Sequence, residues 1–429
     1  MKVTYLGHAC WLVEAQGKRI LMDPWLKDPT YHGTWWHYPP LRLTARDLPR
    51  IDFLYISHEH PDHFDPATLG ELDKDATVVI ADFRQKGFRE RIRHLGFSDI
   101  RELPFGKTVS LAPGLSVRLV PPDRPWDDSA ILVQSDGRTL LNVNDCHLDD
   151  ATLKRLGEEY DIDIAFLTFT GASQYPGCFD FPLASKLERY RASKHAHLEE
   201  FVHWARLLRA KRAVPAAGNY ALLAPDQLFL NTPQYVNTPA EAIAALATEA
   251  PDIEGLQMNP GDVWTPEGGL ERAAPPPDWE RRMEEIEELS ARNAARIAEY
   301  FASEPTAPPD LFDRFRDYFQ RVVAADPEAA RRVGIVTWWE VTGPQGGDWT
   351  VDFTGRGELV RRGAPSDWNL RLRMQDKLVF LGVSEEAKWE NLVLAFRVRL
   401  ARRPDRYMKE FWTWFCKLPV SDPCRLRHT

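Results

Sequence analysis

Leu54-Tyr55-Ile56-Ser57-His58-Glu59-His60-Pro61-Asp62-His63-Phe64-Asp65 is the stretch that decides the fold. An apolar run suited to a strand ends abruptly in three imidazoles and two carboxylates within six residues, 58 to 63. Imidazole nitrogen and carboxylate oxygen suit zinc, iron or manganese, and this density of donors points to two divalent metal ions side by side. On an extended segment alternate residues share a face, so His58 and His60 can hold one ion. Asp62 and His63, past the bend at Pro61, turn toward a second.

The rest of the chain must provide a frame for that loop. With 429 residues it is too long for one ordinary core, so two domains are expected. The net charge of -9 argues against a nucleic-acid partner and favours a small-molecule substrate. Five cysteines are scattered without metal-binding spacing, and the odd count does not complete a disulfide framework, so a reducing, cytoplasmic setting is expected. Met1-Lys2-Val3 leads directly into strand-like sequence without a cleavable leader. No apolar run reaches the roughly twenty residues a bilayer requires, so no membrane partner is expected.

Strands are predicted over Val3–Leu6, Cys10–Glu14 and Arg19–Met22, the first two joined by Gly7-His8 and the third ending in Asp23-Pro24-Trp25. The loop from Lys27 to Pro40 carries Tyr31, His32, Trp35, Trp36, His37 and Tyr38. Such a loop either clasps a ring-bearing substrate or packs on a neighbouring domain. The βα alternation continues from Ala76 to Val120, and Asp123, Asp127 and Asp128 precede a strand at Ala130–Val133. Another strand, Leu140–Val143, runs into Asn144-Asp145-Cys146-His147, and a long helix is expected from His195 to Ala210. Residues 1–265 are read as the metal-binding catalytic domain and 266–309 as a linker with a charged helix whose stripe is Met283, Ile286, Leu289 and Ile297. Residues 310–429 are read as a smaller α+β C-terminal domain. Its Trp349–Gly355 and Gly363–Trp368 segments resemble sterol-carrier-like folds, and Trp338, Trp339, Trp349, Trp368 and Trp389 either line an apolar cavity or pack a core.

His58-x-His60-x-Asp62-His63 resembles the signature of the metallo-β-lactamase superfamily. The resemblance implies an α/β fold, a four-layer αβ/βα sandwich with metals at one edge. It also implies that His58 and His60 bind one metal while Asp62 and His63 contribute to the other. Asp23 would support the loop from behind the ligands with His8 nearby, and Asp145 would take the place of the bridging carboxylate. Superfamily members commonly add a histidine before the strand at Ala130 and another in a Pro-x-His after Val214. Neither is present here, which leaves Asp123 as the nearest substitute for the first, with Asp127 and Asp128 as rivals.

Asn144-Asp145-Cys146, Gly171-Ala172-Ser173-x-x-Pro176, Pro215-x-Ala217-Gly218 and a tail containing Arg399-Leu400-x-Arg402-x-Pro404-Asp405-x-Tyr407, Phe411-Trp412 and Lys417-Leu418-Pro419 resemble the CMP-N-acetylneuraminate hydroxylase family. That resemblance implies an oxygenase. The family adds a Rieske domain, but no Cys-x-His pair occurs in this sequence, so a separate electron-donor protein or the substrate would supply electrons. The carboxylate-rich ligand set favours iron or manganese over zinc, and iron is expected first. The expected function is therefore a di-iron monooxygenase acting on a polar small metabolite, with Asp62 and Asp145 at the reacting centre. The alternative is a hydrolase of a phosphoester, lactone or amide that uses a metal-activated water. A third reading is a metal-bearing binding subunit without catalysis.

Overall fold

The computed structural model describes residues 1–418 and 420–426; Pro419 of the quoted tail motif and residues 427–429 lie outside the described residues. An eight-stranded sheet runs in spatial order Gly269–Glu271, Val263–Thr265, Lys2–Gly7, Cys10–Ala15, Lys18–Met22, Phe53–Tyr55, Thr77–Ala81 and Ile100–Leu103. A seven-stranded sheet runs Glu254–Gly255, Arg212–Ala216, Ile164–Thr168, Arg138–Asn142, Ala130–Ser135, Leu115–Val120 and Thr108–Ala112.

Side-chain alternation explains how these sheets stack. In Ala130–Ser135, Ile131 and Val133 join the core shared with the first sheet, while Ala130 and Leu132 point into a second core under helices. Trp11 of the first sheet lies flat on Phe166 of the second, with ring centroids 3.9 Å apart and planes 6° from parallel. Outside the second sheet lie helices Asp150–Glu159, Leu183–Leu207 and Pro239–Glu249. Outside the first, Leu69 and Phe88 of helices Pro66–Glu71 and Gly87–His94 close its far face. Helix, sheet, sheet and helix make the four-layer αβ/βα sandwich of the metallo-β-lactamase fold.

The helix expected from His195 begins already at Leu183. Its first turns bury only Tyr190, so no apolar stripe announced them. They are helical through residues of high intrinsic preference such as Ala184, Leu187, Glu188 and Arg189. Gly269–Glu271, inside the predicted linker, adds an edge strand to the first sheet. Helix Arg282–Ser303 then packs Ile286 and Ile297 against Trp36, Tyr38, Ala221 and Leu223.

The C-terminal portion builds a five-stranded mixed sheet in the order Val360–Arg362, Gly347–Asp352, Val336–Thr342, Leu370–Gln375 and Arg399–Arg402. Trp339, Trp349 and Trp389 pack its core, whereas half-buried Trp338 rests against Trp368 outside it, with ring centroids 5.8 Å apart. Trp339 touches Phe315, Phe319, Trp389 and Phe415, with centroids 5.2–5.9 Å away, and Trp349 meets Phe312 and Phe315.

The aromatic loop also resolves toward packing. Tyr31, Trp35, Trp36 and Tyr38 are all buried, and Trp35–His37 pairs with Tyr220–Leu222 as a two-stranded ribbon. Trp35 stacks on Tyr220 at 3.8 Å, and its indole N–H donates to the carbonyl of Leu394 at 2.9 Å. One side chain thus ties the metal-loop side of the sandwich to the C-terminal portion. Trp35→Ala should lower stability by about 3–5 kcal/mol, as expected for truncating a fully buried tryptophan, and urea unfolding followed by tyrosine and tryptophan fluorescence checks it.

Candidate metal centre

Parallel pairing delivers the site. Strand Phe53–Tyr55 lies between Lys18–Met22 and Thr77–Ala81, so the chain leaves Met22 and Tyr55 at the same sheet edge and places Asp23 beside Ser57. Asp23 Oδ1 accepts the Ser57 backbone N–H at 2.7 Å and Oδ2 accepts its hydroxyl at 2.9 Å. Oδ2 also lies 3.0 Å from His63 Nδ1. A carboxylate held behind an imidazole fixes its tautomer and ring plane, so His63 Nε2 is the nitrogen directed inward, 3.6 Å from Asp62 and 3.5 Å from Asp145.

His8 comes from the turn after the first strand, and its Nε2 lies 2.9 Å from Asp62 Oδ2. Tyr31 donates its hydroxyl to Asp62 Oδ1 at 2.8 Å. Both oxygens of Asp62 are therefore engaged, and Tyr31 is a contributor that the sequence offered only as one aromatic among six. His58 Nε2 faces His60 Nδ1 at 2.8 Å. Behind His58, its Nδ1 lies 2.9 Å from Ser57 Oγ and 3.4 Å from Asp128 Oδ1.

Two groups of side chains can each close on an ion: His8, Asp62 and His63, all buried, and His58, His60 and Asp145, which is the more open side. Asp123 does not join them. Its backbone N–H bonds the carbonyl of His147, and its carboxylate lies 3.0 Å from His147 Nδ1 and 3.7 Å from Arg124. The far end of the same loop is pinned instead, because Tyr55 donates to the Ser129 carbonyl at 2.7 Å and Ser129 Oγ donates to the Ser57 carbonyl at 3.2 Å. Asp128 is the loop carboxylate that this brings to His58. Asp127 is exposed in the same loop, where partial desolvation and then the charge of Glu59 raise its carboxyl above the ordinary value.

The donor chemistry fits metal ions. His63 Nε2 and His8 Nδ1 are buried without a hydrogen-bond partner, and the first is aimed between two carboxylates. Burial opposes ionisation of Asp62, but the charge of His63 and the hydrogen bond and charge of His8 outweigh it and hold the carboxyl well below its usual range. Burial likewise opposes a charged His63, and Asp62, Asp145 and Asp23 reverse that, raising it far above an ordinary imidazole. Without cations, protons on the histidines balance the acids; cations would take over that role.

Two groups lay beyond the reach of sequence reasoning. Glu390 Oε2, from the C-terminal portion, stands 3.5 Å from His60 Nε2. Glu59 turns away from the cluster to pair with Arg91 at 2.8 Å and with Lys388. Burial works against its ionisation, but those two cations hold it at about 2. No spacing signal links residues more than three hundred positions apart. His32 and His37 are buried in the aromatic loop, where His37 Nδ1 lies 2.7 Å from Asp28.

Comparison with known proteins agrees with this architecture. A family model described as a β-lactamase superfamily domain matches residues 2–175. A Mycobacterium tuberculosis protein whose name proposes a Rieske 2Fe-2S iron–sulfur centre is 32% identical over 54% of this chain, and the chain spans 46% of that relative's length. Mouse cytidine monophosphate-N-acetylneuraminic acid hydroxylase is 24% identical over 99% of this chain and 75% of its own. Among solved structures, CmlA, a diiron β-hydroxylase from Streptomyces venezuelae, aligns at 21% identity and a TM-score of 0.37, over 50% of this chain and 44% of that one. The chain is thus similar over nearly its full length to the hydroxylases, and residues 2–175, which carry the histidine loop, match the β-lactamase superfamily domain.

Proposed function

We propose that this protein is a dinuclear, di-iron oxygenase that hydroxylates or otherwise oxidises a polar small metabolite. The observation that carries the reading is the pair of abutting ligand groups, each with a carboxylate among its donors, in a chain that aligns with hydroxylases over 98–99% of its length. His58, His60 and Asp145 would hold one ion and His8, Asp62 and His63 the other, with Asp145 between them. Iron at both positions supplies the chemistry that binds and reduces dioxygen.

The chain's own residues set the conditions for that chemistry. Tyr31 and His8 hold the two oxygens of Asp62, so this carboxylate keeps its orientation. His63 and Asp62 are sealed from solvent, while the side chains of His60 and Asp145 remain 29% and 37% exposed, so substrate approaches from that side. A separate cavity on the His8 side is lined by Tyr220, Tyr190, Tyr235, Lys194 and Arg282, the ring centroid of Tyr220 lying 6.2 Å from that of His8. Hydroxyls and cations along its wall favour a polar ligand. No Cys-x-His pair occurs in these 429 residues, so a donor outside them, or the substrate, would supply the electrons.

Three measurements test the reading. Loading metal-free protein at neutral pH should release protons, because His60 and His63 are both raised and must be neutral to coordinate; calorimetric titration in buffers of different ionisation enthalpy detects this. Asp23→Asn keeps an acceptor for Ser57 but loses the charge behind His63, and should weaken metal affinity about 10–100-fold in a chelator competition. Reduced, iron-loaded protein should consume dioxygen in a single turnover. Turnover of phosphodiesters, lactones or amides by zinc-loaded protein under strict anaerobiosis, with no oxygen uptake by the iron form, would overturn the oxygenase in favour of hydrolysis.

A further inference from the structure

The three imidazoles of the histidine loop share one arrangement: an inward nitrogen facing the other donors and an outward nitrogen facing an acid. His63 turns Nδ1 to Asp23, and His58 turns Nδ1 to Ser57 and Asp128. His60 is reversed. Its Nδ1 faces His58 Nε2 at 2.8 Å, so the outward nitrogen is Nε2, and the acid it meets is Glu390 Oε2 at 3.5 Å. Asp23 and Asp128 belong to the sandwich that carries the loop. Glu390 belongs to helix Trp389–Leu394 of the C-terminal portion.

That helix is held rigidly. Trp389 donates its indole N–H to the Tyr318 hydroxyl at 3.0 Å, and its ring lies so close to Gly382 that a Cβ there would meet it at 2.5 Å. Lys388, just before it, pairs with Glu59, the residue between His58 and His60, and Arg91 pairs with the same carboxylate from the other side. The loop is therefore gripped at Glu59 and backed at His60 by Lys388 and Glu390, two positions apart in one short segment.

The geometry points to Glu390 as a positioning residue for His60: it accepts the Nε2 proton and so presents Nδ1 to the ion, which makes the C-terminal portion part of the metal centre. The inference rests on the metal-binding reading above. It concerns affinity and coordination, and does not require that the reaction be an oxygenation.

Cobalt(II) binding to the full chain tests it, with metal-free Glu390→Ala and Glu390→Gln melted alongside the wild type to check the fold. Glu390→Ala should weaken cobalt binding about 10–100-fold in a chelator competition and change the visible absorption of the bound cobalt. Glu390→Gln still offers an oxygen to Nε2–H and should restore most of the affinity. Metal-free melting temperatures should be the same for all three. An Ala variant that binds cobalt as the wild type does, with the same spectrum, overturns the inference alone. So does an Ala variant whose lost affinity is matched by a lower metal-free melting temperature, since its role is then structural. A wild-type chain that takes up no cobalt overturns the metal reading and this inference with it.

Discussion

Asp23 is the constraint on which the centre depends. Its carboxylate closes hydrogen bonds to the backbone and hydroxyl of Ser57 and faces His63, and all of these groups are buried. An unpaired buried carboxylate would be expensive, so the partners and the acid require one another. The position follows from topology: two parallel neighbouring strands end at one edge, and the residue after one reaches the loop after the other. Everything beyond it inherits that register. His63 Nε2 points inward because its other nitrogen is taken, and Asp62 and Asp145 lie around the inward nitrogen.

The histidine loop, Asp23 and Asp145 were legible in the sequence because their signals are local: a dense run of donors, or an acid directly after an apolar strand. The layers were legible only through the family resemblance that this loop carries, since strands buried on both faces read as near-continuous apolar runs that do not say how sheets stack. Asp123 and Asp128 show where such reasoning stops. Both are acids in one loop before one strand, and what separates them is which end of the loop is tied down. The first half is fastened to His147 and the second to Tyr55 and Ser57, and none of these fastenings leaves a mark in spacing. Tyr31 and Glu390 were illegible for a simpler reason. Their partners are distant in sequence, and an aromatic in a loop or a glutamate in a helix has many ordinary uses.

The C-terminal portion was read as a separate α+β unit, and its aromatic core is its own. Some of its contacts with the sandwich lie elsewhere, as where Arg371 pairs with Asp180, Arg189 with Asp405 and Leu400 bridges Phe179, but others reach the metal side. Trp35 bonds Leu394, Lys388 holds Glu59, Glu390 stands at His60, and Arg397 pairs with Glu304 after helix Arg282–Ser303. Two of these four, from Lys388 and Glu390, fall on the histidine loop itself. Through those two residues the C-terminal portion braces the loop.

Backbone strain follows the same geography. His8, Asp23, Tyr31 and Asn144 all adopt left-handed conformations with φ between 43° and 54°, each at a cost of about 1–2 kcal/mol for a residue with a Cβ. Such conformations persist only where neighbours over-determine them. Asp23 is held by Ser57 and His63, Tyr31 by Asp62, and His8 by Asp62 together with the Tyr5 hydroxyl and the Ala217 N–H on its carbonyl. Asn144 is turned by the Asn142 side chain at its backbone N–H, immediately before Asp145. These four, among other positive-φ residues such as Gln16, Asp136 and Arg209 that lie away from the site, are thus ones that aim donors into the cluster. Relaxing any one of them to an ordinary turn would move its side chain, or that of the residue after it, off the common point, so the strain and the convergence of ligands are two aspects of one arrangement.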